Sequence, residues 1–105
     1  MEKRPLQGKE ILAVDDEPDV LEVLDENLTG HGAKLDPATS YEEAREKINS
    51  STYDLVLLDI MGVRGFDLLQ LAVGKNLPVV MLTAHSATPD AIKKSIELGA
   101  RAYLL

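Results

Sequence analysis

One stretch of the chain decides its fold: Tyr53-Asp54-Leu55-Val56-Leu57-Leu58-Asp59-Ile60-Met61. Its four consecutive apolar residues, 55–58, are enough for a strand buried on both faces and too few for a free-standing helix. Strands of this kind are typical of parallel sheets, which carry their chemistry just outside the carboxyl ends of the strands. Asp59 stands at that end, where a carboxylate is either a reacting group or an ordinary acidic loop residue.

The composition indicates one small domain with an aliphatic core. The chain has 105 residues, 45% of them hydrophobic, with no Trp and one Phe. It contains no Cys, which excludes disulfides and thiolate metal sites. No apolar stretch approaches the roughly 18 residues of a membrane span, and the polar start lacks the apolar region of a signal peptide. We therefore expect a cytoplasmic protein that makes no membrane contact.

The formal net charge of −7 narrows the choice of partners. Binding to nucleic acid or to an anionic membrane depends on Lys and Arg side chains that neutralise phosphates. An acidic chain is therefore expected not to bind nucleic acid directly. It remains compatible with a divalent cation or with a basic partner surface.

Apolar segments with the periods of strands and helices alternate along the chain. Pro37, near the end of the second strand, predicts that this strand lies at a sheet edge. Four alternations at these lengths predict an open, parallel, doubly wound α/β sheet of five strands. The predicted strands are 10–14, 33–38, the central strand around 55–58, 78–82 and 101–105, and the helices lie between Pro18 and Gly30, Ser40 and Asn49, Phe66 and Gly74, and Thr88 and Gly99.

Capping signals mark the start of two helices. Ser40 and Glu43 form a capping box, and Thr88 precedes Pro89 as the N-cap of the fourth helix. The inward positions of that fourth helix are predicted to be Ile92, Ile96 and Leu98.

Four helices leave one face of a five-stranded sheet thinly covered, and a wide apolar face is not normally left open to water. We therefore expect a last helix to cover this face, either beyond Leu105 or supplied by a neighbouring chain. Residues 1–9 are predicted to be an N-terminal lead-in, and residues 10–105 to be the domain itself.

Three carboxylates follow two of the predicted strands. Asp15 and Asp16 follow the first, and Asp59 follows the third. If these strands are neighbours, the acids converge and need a cation to stay ionised together. Oxygen ligands of this kind suit Mg²⁺, and an Asp beside the metal is a competent nucleophile toward phosphorus. The plainer alternative is that Asp15 and Asp16 only cap the first helix. Thr83, at the end of the fourth strand, either donates a hydroxyl hydrogen bond to a phosphoryl oxygen or only completes the strand end.

The chain resembles the receiver domains of two-component response regulators from Glu10 onward. Four motifs in the expected order carry the resemblance: Ile-Leu-Ala-Val-Asp15-Asp16-Glu-Pro, Tyr-Asp-Leu-Val-Leu-Leu-Asp59-Ile-Met61, Val-Val-Met-Leu-Thr83-Ala84 and Gly99-Ala100-Arg-Ala-Tyr103-Leu.

The resemblance implies a role for each residue at the site. Asp59 is the expected phosphoacceptor, and Asp16 and Asp59 are expected to bind Mg²⁺ together with the backbone carbonyl of Met61. Asp15 is expected to act on the metal through water. Thr83 is expected to donate a hydrogen bond to the phosphoryl group, and Tyr103 to turn inward with it as the switch aromatic.

The resemblance also implies a fold and a partner. The fold is the flavodoxin-like sheet with strand order 2-1-3-4-5, and the partner is a sensor histidine kinase or phosphotransfer protein. The resemblance is also compatible with a homodimer. The expected activity is phosphoacceptance and switching, with no turnover of an outside substrate and therefore no enzyme in the usual sense.

Two departures from the family pattern bear on this reading. Gly65 follows Asp59 by six residues where the family usually has eight, so an altered first turn of the third helix is expected. The family has a phosphate-pairing Lys at the position directly after Leu105, and the 105 residues end before that position. A pseudo-receiver that acts only as an interaction module is therefore the alternative. A phosphohydrolase with an aspartyl nucleophile is less compatible. Such enzymes usually have one residue between the two acids after the first strand (Asp-x-Asp), whereas Asp15 and Asp16 are adjacent.

Overall fold

A computed structural model describes residues 7–59, 64–82 and 88–104 of the chain. Strands and helices alternate along it as the apolar pattern predicts. The elements are β1 Glu10–Val14, α1 Pro18–Gly30, β2 Lys34–Ala38, α2 Tyr41–Ser50, β3 Leu55–Asp59, α3 Gly65–Gly74, β4 Val79–Leu82, α4 Pro89–Glu97 and β5 Ala102–Leu104.

The five strands form one parallel sheet in the order β2-β1-β3-β4-β5. This confirms the predicted fold class, including the flavodoxin-like strand order. In this order β1 and β3 are neighbours, and Val14 pairs with Leu58 across them. The carboxyl ends of β1 and β3 therefore lie side by side. The division between a lead-in of residues 1–9 and a domain of residues 10–105 stays a prediction.

Alternating side chains of each strand enter two apolar clusters on opposite faces of the sheet. Leu12 and Leu58 belong to the cluster covered by α2, α3 and α4. Ile11 and Leu57 belong to the cluster on the other face, where Leu21 of α1 packs. All four strand residues are at most 2% exposed, so these strands are buried on both faces.

The edge strand β2 is held by a polar cluster. Lys47 donates to Asp36 Oδ1 at 2.6 Å and to the carbonyl of Pro37 at 2.8 Å, while the Tyr53 hydroxyl donates to Asp36 Oδ2 at 2.5 Å. Burial raises the pKa of the Asp36 carboxyl, but the bonds from Lys47 and Tyr53 outweigh it and the pKa lies below its usual value. Burial and the same hydrogen bond raise the pKa of Tyr53 to about 12.

The predicted helix caps form with one difference. Ser40 Oγ accepts the N–H of Glu43 at 3.2 Å, and Thr88 Oγ1 accepts the N–H of Ala91 at 3.1 Å. The Glu43 carboxylate, however, accepts the N–H of Thr39 at 2.9 Å, one residue before the N-cap. Both ends of the motif still satisfy backbone donors that the helix leaves free.

The prediction that Ile96 faces inward is wrong. Ile96 is 43% exposed, whereas Ser95 is fully buried. Ile92 and Leu98 are partly buried against the core, as expected. Consecutive helical residues point about 100° apart, so the burial of Ser95 turns Ile96 away from the sheet. The Ser95 hydroxyl stays satisfied because it donates to the carbonyl of Ile92 at 2.7 Å.

Helix α3 starts in an unusual way, whereas the altered first turn relative to the family stays a prediction. Its N-cap, Arg64, has left-handed backbone angles (φ 54°, ψ 52°), which a residue other than Gly rarely adopts. The Arg64 guanidinium carbon lies 3.9 Å from the ring centroid of Tyr41, and its Nε donates to Asp67 at 2.9 Å. The side chain thus binds α2 and the first turn of α3 instead of capping the helix.

The turn after α4 depends on a Gly. Gly99 has φ +114°, and a Cβ placed on it would lie 3.0 Å from a methyl group of Val73. We predict that Gly99→Ala lowers the free energy of unfolding by about 1–3 kcal/mol, because it adds both backbone strain and a clash. Urea unfolding of parent and variant measures this change.

Gly74→Ala is the matched control for this prediction. Gly74 ends α3 without a positive φ, and a Cβ there would meet nothing within 4 Å. It should leave stability unchanged or raise it by about 0.5–1 kcal/mol. Equal losses in the two variants would contradict the account given for Gly99.

Candidate metal centre

Asp15 is fixed at the end of β1 through its backbone and its side chain. Its N–H donates to the carbonyl of Ala38 at 3.1 Å, which continues the β1–β2 ladder by one residue. Its Oδ1 accepts the N–H of Glu17 at 2.9 Å. The residue is only 3% exposed. These contacts hold the carboxylate in one place before α1 begins.

Asp16 and Asp59 complete a cluster with Asp15. Asp59 is the last residue of β3, pairs with Leu82 of β4 and is 8% exposed. Asp16 follows Asp15 and is exposed. One carboxylate oxygen from each of the three acids lies within 4.8 Å of the others. The structure therefore brings together the three acids that the sequence places after β1 and β3.

The electrostatic cost of this cluster is visible at Asp15. Burial is the main cause that raises the pKa of the Asp15 carboxyl to about 6, and the negative charges of Asp59 and Asp16 add to it. The hydrogen bond from the Glu17 N–H acts in the opposite direction. The carboxyl pKa thus lies well above its ordinary value of 3.8. A bound cation would offset this cost.

The donor set fits a hard divalent cation. The three acids offer oxygen atoms alone, and they are close enough together for one ion to reach all of them. One acid is exposed and two are buried, so the cluster opens to solvent on one side. These residues could therefore hold a metal ion and leave room for further oxygen ligands.

The structure describes only part of the other residues that the sequence assigns to the site. Met61 and Thr83 lie outside the described residues. The backbone of Tyr103 pairs with Met81 in β5, but the predicted movement of its side chain concerns atoms outside the described part of the chain. The roles of all three residues stay predictions.

One contributor to the site was missed at the sequence level. The backbone N–H of Glu17 fixes the Asp15 carboxylate, two residues before it along the chain. An Asp side chain commonly bonds to the backbone two residues on, so this spacing was available as a signal. Asp15 therefore serves a local turn and belongs to the acidic cluster at the same time. It is not the cap of α1, because the N-cap is Glu17, which forms no side-chain cap hydrogen bond.

An open parallel sheet with acids at the carboxyl ends of adjacent strands defines a class of doubly wound proteins. Comparison with known proteins makes the assignment specific, because the model of the response regulator receiver domain family matches residues 11–105. The two-component response regulator ARR18 of Arabidopsis thaliana is 39% identical over 104 residues, which cover 93% of this chain and 16% of ARR18. The probable transcriptional regulatory protein SilR of Salmonella typhimurium is 36% identical over 99 residues, covering 90% and 43%.

Solved structures agree with these relatives. A CheY-like response regulator receiver domain protein from Methanospirillum hungatei JF-1 superposes with a TM-score of 0.83 at 28% identity, covering 93% of this chain and 81% of that one. The chain belongs to the response regulator receiver domain family and is a receiver domain of two-component response regulators. It spans less than half the length of the two curated relatives described above.

Within the part of the chain that the structure describes, every helix is too short or too polar to cross a membrane.

The raised pKa of Asp15 makes a prediction for stability without divalent cations. A raised pKa means that the folded state favours the protonated carboxyl of Asp15. The contribution of this carboxyl to the free energy of unfolding is therefore fully present below about pH 4 and is lost as pH rises through about 6. Asp15→Asn removes the titrating group but keeps an oxygen for the Glu17 N–H. We predict that the variant gains stability relative to the parent between about pH 4 and about pH 7, by at most about 3 kcal/mol.

Urea unfolding in the presence of a chelator, over that pH range, measures the difference. Asp54→Asn is the control, since Asp54 is an exposed acid at the opposite end of β3 that accepts the Glu10 N–H. A difference between Asp15→Asn and the parent that does not change with pH would show that the burial of Asp15 is not costly.

Proposed function

We propose that Asp59 is the residue that accepts the phosphoryl group. The observation that carries this proposal is the position of Asp59 at the end of β3, with carboxylate oxygens of Asp15 and Asp16 within 4.8 Å of its own. A nucleophile needs a fixed geometry and a neighbouring positive charge for the phosphoryl oxygens. The strand supplies the first, and the acids recruit the second as a bound cation.

The proposed cation is Mg²⁺, held by Asp16, Asp59 and the carbonyl of Met61, with Asp15 acting through water. Mg²⁺ prefers oxygen ligands and typically takes one or two carboxylates, several waters and a phosphate. When bound, it supplies positive charge that lowers the repulsion between the carboxylates and an incoming phosphoryl group.

The chain's own residues account for the chemical step. One Asp59 oxygen forms a bond to phosphorus while the bond between phosphorus and the imidazole nitrogen of a phosphohistidine breaks, and the electron pair leaves with the imidazole. Asp15, fixed by the Glu17 N–H, keeps its carboxylate beside the site without attacking. The product is an aspartyl phosphate on Asp59.

The switch that follows is assigned to Thr83 and Tyr103. In this proposal the Thr83 hydroxyl donates a hydrogen bond to the new phosphoryl group, and the Tyr103 ring turns inward in concert. Both residues follow from the resemblance to the family. A new charge that changes a local hydrogen bond is a common cause of two-state switching.

The proposed partner is a sensor histidine kinase or a phosphotransfer protein, in the cytoplasm. The family assignment and the need for a phosphohistidine donor support this partner. The net charge of −7 supports the absence of direct nucleic-acid binding. We propose that the domain turns over no substrate other than its own phosphoryl group, and that it is therefore a switch. The proposal is compatible with a homodimer.

The phosphoacceptor proposal predicts one phosphoryl adduct after incubation with acetyl phosphate and Mg²⁺, measured by intact-protein mass spectrometry. The adduct should require the metal and disappear in Asp59→Asn. Asp54→Asn, the matched change at the other end of β3, should keep it.

An adduct on Asp59→Asn would move the reaction to another residue. A folded parent that binds Mg²⁺ but gains no adduct, either from acetyl phosphate or from a phosphohistidine donor, would favour the pseudo-receiver alternative.

The metal proposal predicts that Mg²⁺ stabilises the folded protein. At a Mg²⁺ concentration 100-fold above its Kd, the gain in the free energy of unfolding is about 2.7 kcal/mol. Asp16→Asn should lose most of this gain, and Asp54→Asn should retain it. Urea unfolding with and without Mg²⁺ measures the gain, and an equal gain in both variants would place the ion elsewhere.

A further inference from the structure

Helix α1 and the edge strand β2 enclose an open groove of about 420 Å³. It lies on the face of the sheet that α1 covers, and the chain on both of its sides is fully described. Its lining combines apolar side chains with two acids and a hydroxyl: Pro18, Leu21, Glu22, Asp25, Leu35, Pro37 and Thr39.

Helix and strand periods explain the composition of the groove. The α1 residues in the lining are spaced three and four apart and therefore share one side of the helix. Leu35 and Pro37 alternate with Asp36, which bonds to Lys47 of α2 on the other face. Because β2 is the outermost of the described strands, no other described strand borders this groove.

Apart from Asp19, whose position in the first turn is favourable to the helix dipole, the charges on α1 do not stabilise the helix. Its four charged residues, Asp19, Glu22, Asp25 and Glu26, are all acids. Like charges three or four residues apart destabilise a helix. Neither Glu22 nor Asp25 forms a side-chain hydrogen bond or ion pair with another described residue. A cationic partner would be attracted to both acids, and this attraction would offset their mutual repulsion.

The edge of β2 is a poor template for an added strand. Pro37 has no N–H to donate, and its carbonyl already accepts Lys47 at 2.8 Å. Packing of side chains is therefore the more suitable mode of binding, as in an amphipathic helix placed in a groove. A second copy of the chain is a poor occupant, since it carries the same acidic helix and a net charge of −7.

We propose that this α1–β2 groove is a docking site for a basic amphipathic helix of a partner protein. Apolar side chains of that helix fill the groove over Leu21 and Leu35, while its Lys or Arg side chains pair with Glu22 and Asp25. The groove does not include any of the three acids of the metal centre, so this proposal is independent of phosphoacceptance.

A synthetic helical peptide of Leu and Lys, with Leu on one face, is the probe. Binding followed by amide NMR shifts should perturb Leu21, Asp25, Leu35 and Thr39 most. Glu22→Lys and Asp25→Lys should each weaken binding roughly tenfold. Glu46→Lys, the same charge change at an exposed site on α2, should weaken it less than about twofold, as expected of a distant screened charge.

Glu22→Lys should also raise the melting temperature, by about 2 °C, because it relieves repulsion along α1. Weaker binding in a more stable protein separates docking from a structural role. A peptide with Ser in place of Leu should not bind. Equal losses for Glu22→Lys and Glu46→Lys, or shifts centred outside the groove, would overturn the proposal.

Two further measurements test whether residues 1–6 or a second copy of the chain occupies the groove instead. Residues 1–6 include Lys3, Arg4 and Leu6, so a chain beginning at Gln7 is also titrated with the peptide. Unchanged affinity supports a separate partner, and a fivefold or greater gain would assign the groove to residues 1–6. Sedimentation should show a monomer with an open groove, and a dimer broken by Asp25→Lys would assign the groove to a second copy.

Discussion

The close approach of three carboxylates at one edge of the sheet is the constraint on which the rest of the structure depends. Parallel pairing of β1 with β3 fixes it, because both strands end at the same edge and carry acids there. The raised pKa of Asp15 shows that burial and repulsion oppose the arrangement. Strand side chains buried on both faces supply the stabilisation that offsets this cost.

Much of this arrangement is predictable from the sequence because it depends on period and direction. The apolar run before Asp59 predicts a buried strand, and parallel topology then predicts where its last residue lies. The details that were missed or wrong depend on tertiary contacts instead. The left-handed Arg64 is held by Tyr41 and Asp67 of other turns, and the exposure of Ile96 follows from the choice of Ser95 as the buried residue.

The acids of this chain fall into groups with different physical roles. Asp36 is neutralised within the fold by Lys47 and Tyr53, and its pKa is lowered, so it stabilises the edge of the sheet. Asp15 is buried with like charges nearby, and its pKa is raised. Glu22 and Asp25 are exposed beside an apolar groove and repel each other along α1. In the last two groups the fold tolerates a cost that a positively charged ligand would reduce.

Helix α1 connects these two costly groups. Its N-cap, Glu17, donates the N–H that fixes Asp15, and its next two turns supply the acids of the groove. A cation bound by the carboxylates and a basic helix bound in the groove would therefore both act on one rigid element. Any effect of the first ligand on the affinity of the second must be matched by an equal effect in the other direction. Since both ligands are positive, charge alone predicts a weak mutual opposition, and cooperation between them would require a change in the position of α1.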